Sequence, residues 1–263
     1  LTFLACKGKT SKNSDFKNGN DKPNIILILT DDQGYGDVGF NGSKDILTPH
    51  IDKVAEDGII FSDGYVSHPY CSPSRAGLMT GRYQQRFGHE HNVLFSPQDS
   101  TMGSPNNEVF LSNKMKEAGY KTCAIGKWHL GDHPNFLPPQ RGFDHWFGFS
   151  GGHMNYWGHP YSKNKTMHIQ RNGKNVDPKE LTYLTDDFTN EALSFIKQQK
   201  DTPFFMYLSY NAPHSPDHAT KQYLEKADHI ENGIRSVYAA MIAGVDEGVG
   251  RIDSLLTRLG IRE

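Results

Sequence analysis

The chain has few cysteines, little net charge and no long apolar run. Its 263 residues include three cysteines, Cys6, Cys71 and Cys123, which are too few and too irregularly spaced for a disulfide framework or paired metal ligands. A net charge of −2 gives no electrostatic reason to expect nucleic acid or a membrane surface as a partner. No stretch is long enough to cross a bilayer. The 36% of hydrophobic residues is sufficient for the core of one large α/β domain or two small ones.

Residues 1–22 predict an exported chain and no part of the fold. A short apolar run ends in Ala5 and Cys6, like the tail of a bacterial lipoprotein signal peptide, so Cys6 is predicted to carry a lipid. Residues 7–22 are rich in Lys, Ser, Asn, Asp and Gly, which is typical of a flexible tether. We therefore expect a periplasmic or cell-surface bacterial lipoprotein whose only contact with a membrane is this anchor. The alternative is an arbitrary, disordered start.

From residue 23 onward, apolar runs alternate with helical patterns, and we treat residues 23–263 as one catalytic portion. Residues 24–30 form a continuous apolar run, typical of a strand that is buried on both faces of a parallel sheet. Thr48 and Pro49 are typical of a helix start, with Thr48 as the N-cap. The sequence also predicts strands at 59–61, 121–125 and 203–209, helices at 74–82, 109–118, 188–199 and 237–259, and long loops over 127–180. This order predicts an α/β fold: a mixed, largely parallel sheet with helices on both faces.

Polar side chains follow three of the predicted strands. Asp31 and Asp32 follow the first, Lys127 and His129 follow the strand at 121–125, and His214 follows the strand at 203–209. Ligands of open α/β sheets bind outside the carboxyl ends of the strands, so we expect these side chains to share one crevice. Adjacent carboxylates favour a cation, and oxygen ligands suit calcium or magnesium. The composition after residue 30 is also typical of a turn.

Cys71 lies just before a predicted helix, where backbone N–H groups and the helix dipole stabilise an anion. A lone cysteine is most often an inert buried residue. A thiolate nucleophile with a histidine base is a second alternative. Neither alternative explains the neighbouring Pro73 and Arg75 or the twin carboxylates.

The pattern Cys71-x-Pro73-x-Arg75, followed by Leu-Met-Thr-Gly-Arg at 78–82, resembles the maturation motif of the type I sulfatases. These are the formylglycine-dependent enzymes of the alkaline phosphatase superfamily. The resemblance covers residues 23–260 in order. Its other matching segments are residues 24–36, 48–58, 126–131, 141–144, 211–216 and 238–252.

The resemblance implies a mechanism. A separate maturation enzyme would read Cys71, Pro73 and Arg75 and oxidise Cys71 to formylglycine. One hydroxyl of the hydrated aldehyde would attack the sulfur of a sulfated sugar or polysaccharide. The second would lose its proton as the carbonyl re-forms and sulfate leaves. Ordinary serine or cysteine lacks that second hydroxyl.

The resemblance also implies catalytic roles by position. Arg75 would steady the hydrated aldehyde, and Lys127 and His214 would contact the sulfate. His214 would also protonate the leaving alcohol. His129 would help the second hydroxyl lose its proton, a form of general acid–base help worth about 10²–10⁴ in rate.

The resemblance implies calcium as the metal, with Asp31, Asp32 and the modified Cys71 as ligands and the ion as a Lewis acid. The family completes this site with an Asp-Asn pair on a later strand. Nothing in residues 1–263 substitutes for that pair. We therefore expect an N-terminal portion, truncated before the C-terminal subdomain, with a partial site and little activity by itself.

Aromatic and histidine residues between 128 and 159 are predicted to line a sugar-binding pocket, with core packing as the alternative. The set comprises Trp128, His133, Trp146, His153, Asn155, Tyr156, Trp157 and His159. Two other functions stay open. One is a phosphomonoester or phosphonate hydrolase of the same superfamily, and the other is an inactive, truncated binding protein.

Overall fold

The computed structural model describes residues 2–3, 22–159 and 167–262. Cys6 and nearly all of the predicted tether lie outside these described residues. In the described ranges, no helix is both long enough and apolar enough to cross a membrane.

The described residues contain seven strands and six α-helices. The strands are β1 Thr2–Phe3, β2 Ile25–Asp31, β3 Lys121–Lys127, β4 His145–Phe149, β5 Gln170–Arg171, β6 Lys174–Asn175 and β7 Phe204–Pro213. The helices are α1 Pro49–Asp57, α2 Cys71–Thr80, α3 Leu111–Glu117, α4 Leu184–Gln198, α5 Lys221–Leu224 and α6 Gly233–Leu259.

One mixed sheet organises the fold, in the strand order β1-β2-β7-β3-β4-β5-β6. Its four central strands, β2, β7, β3 and β4, run parallel, and the short strands β1, β5 and β6 pair antiparallel. Leu208 of β7 lies opposite Ile28 of β2 and Ile125 of β3. The carboxyl ends of β2, β7 and β3 therefore meet at one edge, and the predicted α/β class is confirmed.

Helices cover both faces of the sheet. Met206 and Leu208 of β7 pack into one core with side chains of α1, α4 and α6. Their neighbours Phe205 and Tyr207 point to the opposite face and pack with Ala76 of α2. All ten residues of β7 are buried, which explains why its sequence shows no polar alternation.

Helix α1 begins after Thr48, as predicted, but its capping bonds come from elsewhere. The Thr48 hydroxyl donates to Asp52 Oδ1 at 3.0 Å and makes no capping bond. Asp246 of α6 caps the helix instead. Its Oδ1 accepts hydrogen bonds from the backbone N–H groups of His50 at 3.0 Å and Ile51 at 2.8 Å. The prediction of Thr48 as the N-cap residue is confirmed, although a residue almost 200 positions away supplies the side-chain acceptor.

Two element predictions were wrong. Residues 59–61 form no strand and are exposed, since the sheet does not extend to them within the described residues. Residues 127–180 were predicted as loops but contain β4, β5 and β6. Strand β4 was not predicted because Gly148 is untypical of a strand. A Cβ at this position would lie 2.0 Å from the Gly126 carbonyl oxygen of β3, so the close packing of the two strands requires glycine.

Candidate active site

Asp31, Lys127 and Arg75 form a buried charge cluster at the carboxyl edge of the sheet. Lys127 Nζ donates to Asp31 Oδ2 at 2.5 Å, and Arg75 Nη2 donates to Asp31 Oδ1 at 3.1 Å. The three side chains are at most 4% exposed. Asp31 ends β2 and Lys127 ends β3, so the strand-end argument predicted that these two would meet.

Arg75 ties α2 to the sheet. Its Nη1 donates to the Tyr207 hydroxyl at 3.0 Å, to the Lys127 carbonyl at 3.1 Å and to the Ser209 hydroxyl. A guanidinium has five N–H donors and is costly to bury without acceptors. Tyr207 and Ser209 were not predicted as site residues, although Ser209 ends the predicted strand and the strand-end rule would have found it.

The cluster carries one negative and two positive charges. Burial by itself would raise the pKa of Asp31, but Lys127 and Arg75 outweigh burial and lower that pKa to about 2. Asp31 is therefore ionised at neutral pH, and the net charge of the cluster is positive. Such a cluster favours an anionic ligand beside it.

Cys71 is the first residue of α2 and is partly exposed. The helix starts three residues earlier than the predicted start at 74. Pro73 is tolerated in the first turn because the N–H groups there have no intrahelical partner. Burial lowers the pKa of Arg75, but Tyr207, Asp31 and Cys71 nearby raise it above its ordinary value. Cys71 precedes Arg75 by four residues on α2, so the two side chains share one face of the helix and Cys71 lies beside the charge cluster.

Asn92 contacts the start of α2 and was not predicted. Its Oδ1 accepts the Ser72 backbone N–H at 3.0 Å and the Cys71 thiol at 3.5 Å. The N-cap residue Tyr70 makes no side-chain capping bond. No sequence signal identified Asn92, since it lies about twenty residues from the helix that it contacts.

His129 is a buried, neutral histidine. Its Nε2 lies 3.2 Å from the Val93 carbonyl oxygen, which accepts only, so Nε2 carries the proton. Its Nδ1 is buried and has no hydrogen-bond partner among the described residues. Burial, followed by the charges of Lys127 and Arg75, holds the pKa of His129 well below its usual range. His129 makes no hydrogen bond to Cys71 within the described ranges.

His214 follows β7 and faces Asp32. Its Nδ1–H donates to the Ser215 carbonyl at 2.6 Å, which leaves Nε2 at 3.6 Å from Asp32 Oδ2. The ring of His153 stacks beside that of His214, with centroids 6.3 Å apart and planes 9° apart. Asp32 is 67% exposed and His214 is 22% exposed, so both are more accessible to solvent than the buried cluster.

Comparison with known proteins assigns the chain to a family. The family model described as Sulfatase matches residues 23–263. The chain belongs to the sulfatase family. The resemblance that was based on the motif around Cys71 is thereby confirmed.

Individual sulfatase relatives cover almost all of this chain. N-acetylgalactosamine-6-sulfatase of Mus musculus is 38% identical over an alignment 259 residues long, which covers 91% of this chain and 48% of the relative. The crystal structure of Ps i-CgsB in complex with k-i-k-neocarrahexaose superposes with a TM-score of 0.85 at 44% identity. It covers 92% of this chain and 56% of that one. This sulfatase-family chain thus spans about half the length of the relatives that it matches.

The likeness extends to a phosphonate monoester hydrolase of Agrobacterium radiobacter. Its structure has a TM-score of 0.64 at 21% identity and covers 92% of this chain and 60% of that one. At this identity the likeness concerns the fold alone.

Among the residues that the structure describes, Asp31 and Asp32 are the two carboxylates that were predicted to bind calcium. Both oxygens of Asp31 are bound by cationic side chains, and Asp32 faces His214. In the part of the chain that the structure describes, no three His, Cys, Asp or Glu side chains are arranged to hold a metal ion. Calcium takes six to eight oxygen ligands. Asp31 and Asp32 fit such a shell as two carboxylates, and the set predicted with Cys71 is incomplete.

The residues predicted to line a sugar pocket divide into two groups. Trp128 and Trp146 are buried in the core beside Phe143, so core packing holds for them and the pocket prediction was wrong. Tyr156 is also buried, and its hydroxyl donates to the carbonyls that flank the end of β7. Trp157 is 38% exposed and stays a candidate for contact with a sugar.

Proposed function

We propose that this sulfatase-family chain contributes the nucleophile and the sulfate-binding cations of an enzyme that hydrolyses sulfate esters of carbohydrates. The observation that carries the proposal is the position of Cys71, on the first turn of α2 beside the positively charged cluster of Asp31, Lys127 and Arg75. A tetrahedral anion that reached residue 71 would meet two cations and the N-terminus of a helix. Each of these stabilises negative charge.

Formylglycine at position 71 would supply an aldehyde hydrate with two hydroxyls, one for attack and one for release of sulfate. Lys127 and His214 contact the anionic sulfate, and Arg75 steadies the hydrated aldehyde. His129 accepts a proton at Nδ1, the unpaired nitrogen of its neutral ring. His214, when both of its ring nitrogens carry a proton, donates the Nε2 proton to the leaving alcohol. Asp31 and Asp32 would be among the ligands of calcium, which would act as a Lewis acid.

A carbohydrate substrate is supported by the relatives. One acts, by its name, on an N-acetylgalactosamine 6-sulfate, and another was crystallised with a carrageenan oligosaccharide. The exposed Trp157 suits a sugar face, because aromatic rings offer an apolar surface. Lipid anchoring at Cys6 and export, which we also propose, would bring the enzyme to extracellular polysaccharide.

The test is made on the complete gene product, expressed in a host that matures other sulfatases. Hydrazide trapping and mass spectrometry of the Cys71 peptide measure the aldehyde, and an aryl sulfate is assayed with excess calcium. We expect an aldehyde at residue 71 and turnover that Cys71→Ala abolishes. An unmodified thiol in such a host would overturn the proposal.

A phosphoester or phosphonate hydrolase is the second candidate, since the cationic cluster suits any tetrahedral anion and the fold is shared with a phosphonate hydrolase. The matching aryl phosphate and phosphonate are assayed in parallel. We expect kcat/KM for the sulfate to exceed that for the other two. The reverse order would favour the second candidate.

A further inference from the structure

Residues 92 and 93 contact both the proposed nucleophile and the proposed base. Asn92 Oδ1 accepts from the Cys71 thiol and from the Ser72 N–H. The next residue, Val93, accepts the Nε2 proton of His129 through its carbonyl oxygen. These two contacts connect residue 71 to His129 through one short piece of backbone.

The contact of Asn92 replaces a missing local cap. Tyr70, the N-cap residue of α2, makes no side-chain bond to the first turn. A side-chain oxygen at an N-cap normally accepts one of the orphan N–H groups at the helix start. Asn92 accepts the N–H of Ser72 from outside the helix and, with the same atom, the thiol of Cys71. It therefore defines both the backbone and the side-chain direction at residue 71.

The segment that carries Asn92 is itself held against α2. His89 is buried between two hydroxyls, with Nε2 at 2.6 Å from Ser72 Oγ and Nδ1 at 3.1 Å from Ser104 Oγ. Burial lowers the pKa of His89 to about 4, so the ring is neutral at physiological pH. A neutral ring has one donor and one acceptor nitrogen, and two hydroxyls satisfy both. His89 thus fixes the distance between the segment and the helix.

The ring of His129 is confined on its other side by Gly152. A Cβ at residue 152 would lie 2.8 Å from His129 Cε1 and 2.9 Å from Nε2. Glycine permits the ring to lie flat against the backbone while Val93 holds Nε2. The unpaired Nδ1 therefore has a defined direction.

We propose that Asn92 is a positioning residue, whose side-chain oxygen holds the side chain at residue 71 in one orientation relative to His129. The inference rests on the proposed function, because it assigns residue 71 and His129 as reacting groups. Asn92 acts through residue 71, since a thiol or a hydroxyl there is a donor to its Oδ1. Catalysis by aligned groups is lost steeply when the alignment is relaxed.

Three variants and one control test the proposal. Asn92→Ala removes the acceptor, Asn92→Leu keeps the size without it, and Asn92→Asp keeps an oxygen at the same place. The control is Asn113→Ala. Asn113 Oδ1 accepts the Phe110 N–H at the start of α3 at 3.0 Å, so this variant loses an equivalent helix-start bond that touches none of the proposed site residues.

The orientation of residue 71 is measured directly in the unmatured thiol form, from NMR couplings across χ1 of labelled cysteine and from amide exchange of Ser72. We expect one rotamer and a protected amide in the wild type and in Asn92→Asp. We expect rotamer averaging and faster exchange in Asn92→Ala and Asn92→Leu, with no change in Asn113→Ala. A single unchanged χ1 rotamer in Asn92→Ala would overturn the proposal.

The catalytic consequence is measured on the matured complete gene product. In Asn92→Ala and Asn92→Leu we expect an unchanged aldehyde fraction, a fall in kcat of about tenfold or more, and a change in KM below about twofold. We expect Asn92→Asp to have most of the wild-type kcat and Asn113→Ala to have the wild-type kcat. Equal falls in kcat for Asn113→Ala and Asn92→Ala would show a general stability effect and overturn the proposal. Absence of aldehyde or turnover in the wild type would overturn the proposed function, while the rotamer measurement would still decide the role of Asn92.

Discussion

Asp31 balances the charges of the site at the scale of single residues. It is the carboxylate shared by Lys127 and Arg75, and both partners are buried. Removing one member of a buried ion pair leaves uncompensated charge, which costs more than an exposed pair contributes. The positive cluster that would receive sulfate therefore depends on Asp31 for its stability in the folded chain.

We predict that Asp31→Asn destabilises the chain by about 3–5 kcal/mol at neutral pH, because two buried cations lose their partner. The effect depends on pH. The folded-state pKa of Asp31 is about 2, below its usual 3.8. Its ionisation therefore contributes about 2 kcal/mol of stability above pH 3.8, which is lost as the pH falls through 2.

Urea unfolding of wild type and Asp31→Asn between pH 7 and pH 2 checks this. The difference in the free energy of unfolding between wild type and Asp31→Asn should become smaller as the pH approaches 2. Asp201→Asn is the control, since the Asp201 side chain is 83% exposed and its replacement should change stability by less than about 0.5 kcal/mol. A difference that stays constant down to pH 2 would contradict the role of the Asp31 charge.

His214 is predicted to act on the leaving group. In the matured complete gene product, His214→Ala should lower kcat/KM by about 10²–10³ for a sugar sulfate, whose alkoxide must be protonated. An activated aryl sulfate needs little protonation and should lose less than about tenfold. Parallel measurement of the two substrates checks this. Equal losses would mean that His214 binds sulfate and does not serve as the acid.

At the scale of elements, the capping of α1 by α6 connects two parts of the fold that are far apart in sequence. Burial raises the pKa of Asp246, while its bonds to the N–H groups of Ile51 and His50 oppose that rise. We therefore expect the acceptor oxygen of Asp246 to contribute more to the stability of the fold than its negative charge does.

We predict that Asp246→Asn, which keeps the acceptor, changes the free energy of unfolding by less than about 1 kcal/mol. Asp246→Ala leaves two N–H groups without an acceptor and should cost about 1–3 kcal/mol. Urea midpoints at pH 7 measure both. A loss of equal size in the two variants would assign the effect to the carboxylate charge at the helix start.

The predicted elements were most accurate where the pattern is local. The apolar runs located β2, β3 and β7, and the helical spacing located α4 and α6, each within a few residues of its observed bounds. The start of α2 was misplaced because the helix was predicted to follow Pro73, whereas Pro73 lies in its first turn, where proline is tolerated. Strand β4 was missed because it contains Gly148, a residue that is rare in strands. The close approach of β3 that requires this glycine cannot be seen in the local sequence.

At the scale of the whole molecule, burial of the proposed maturation motif determines when modification can occur. Pro73 and Arg75 are buried, while Cys71 is partly exposed. An enzyme that reads all three residues cannot reach two of them after folding.

We therefore predict that the proposed maturation precedes folding. Folded thiol protein from a host without maturation enzyme should remain unmodified when that enzyme is added. The same protein unfolded in urea and diluted into the reaction, or a peptide of residues 69–80, should be converted. Hydrazide trapping with mass spectrometry measures the yield. Conversion of the folded form at the rate of the peptide would contradict the prediction.

The sequence by itself determined the fold class, the family and the identity of the chemically distinctive residues. Apolar runs that are buried on both faces are local properties of the chain, and so is the spacing of Cys71, Pro73 and Arg75. The rule that strand ends share an edge was enough to expect Asp31 near Lys127 and His214 nearby. These inferences need only strand direction and side-chain chemistry, which short stretches of sequence carry.

Only the tertiary structure decided which group bonds to which. Asp31 pairs with Arg75 and Lys127, which lie 44 and 96 positions further along the chain, and Asn92 reaches back to Cys71. Such pairs depend on strand order and on where each helix packs, and no local pattern encodes either. The same packing buried Trp128 in the core and removed it from the sugar-facing surface.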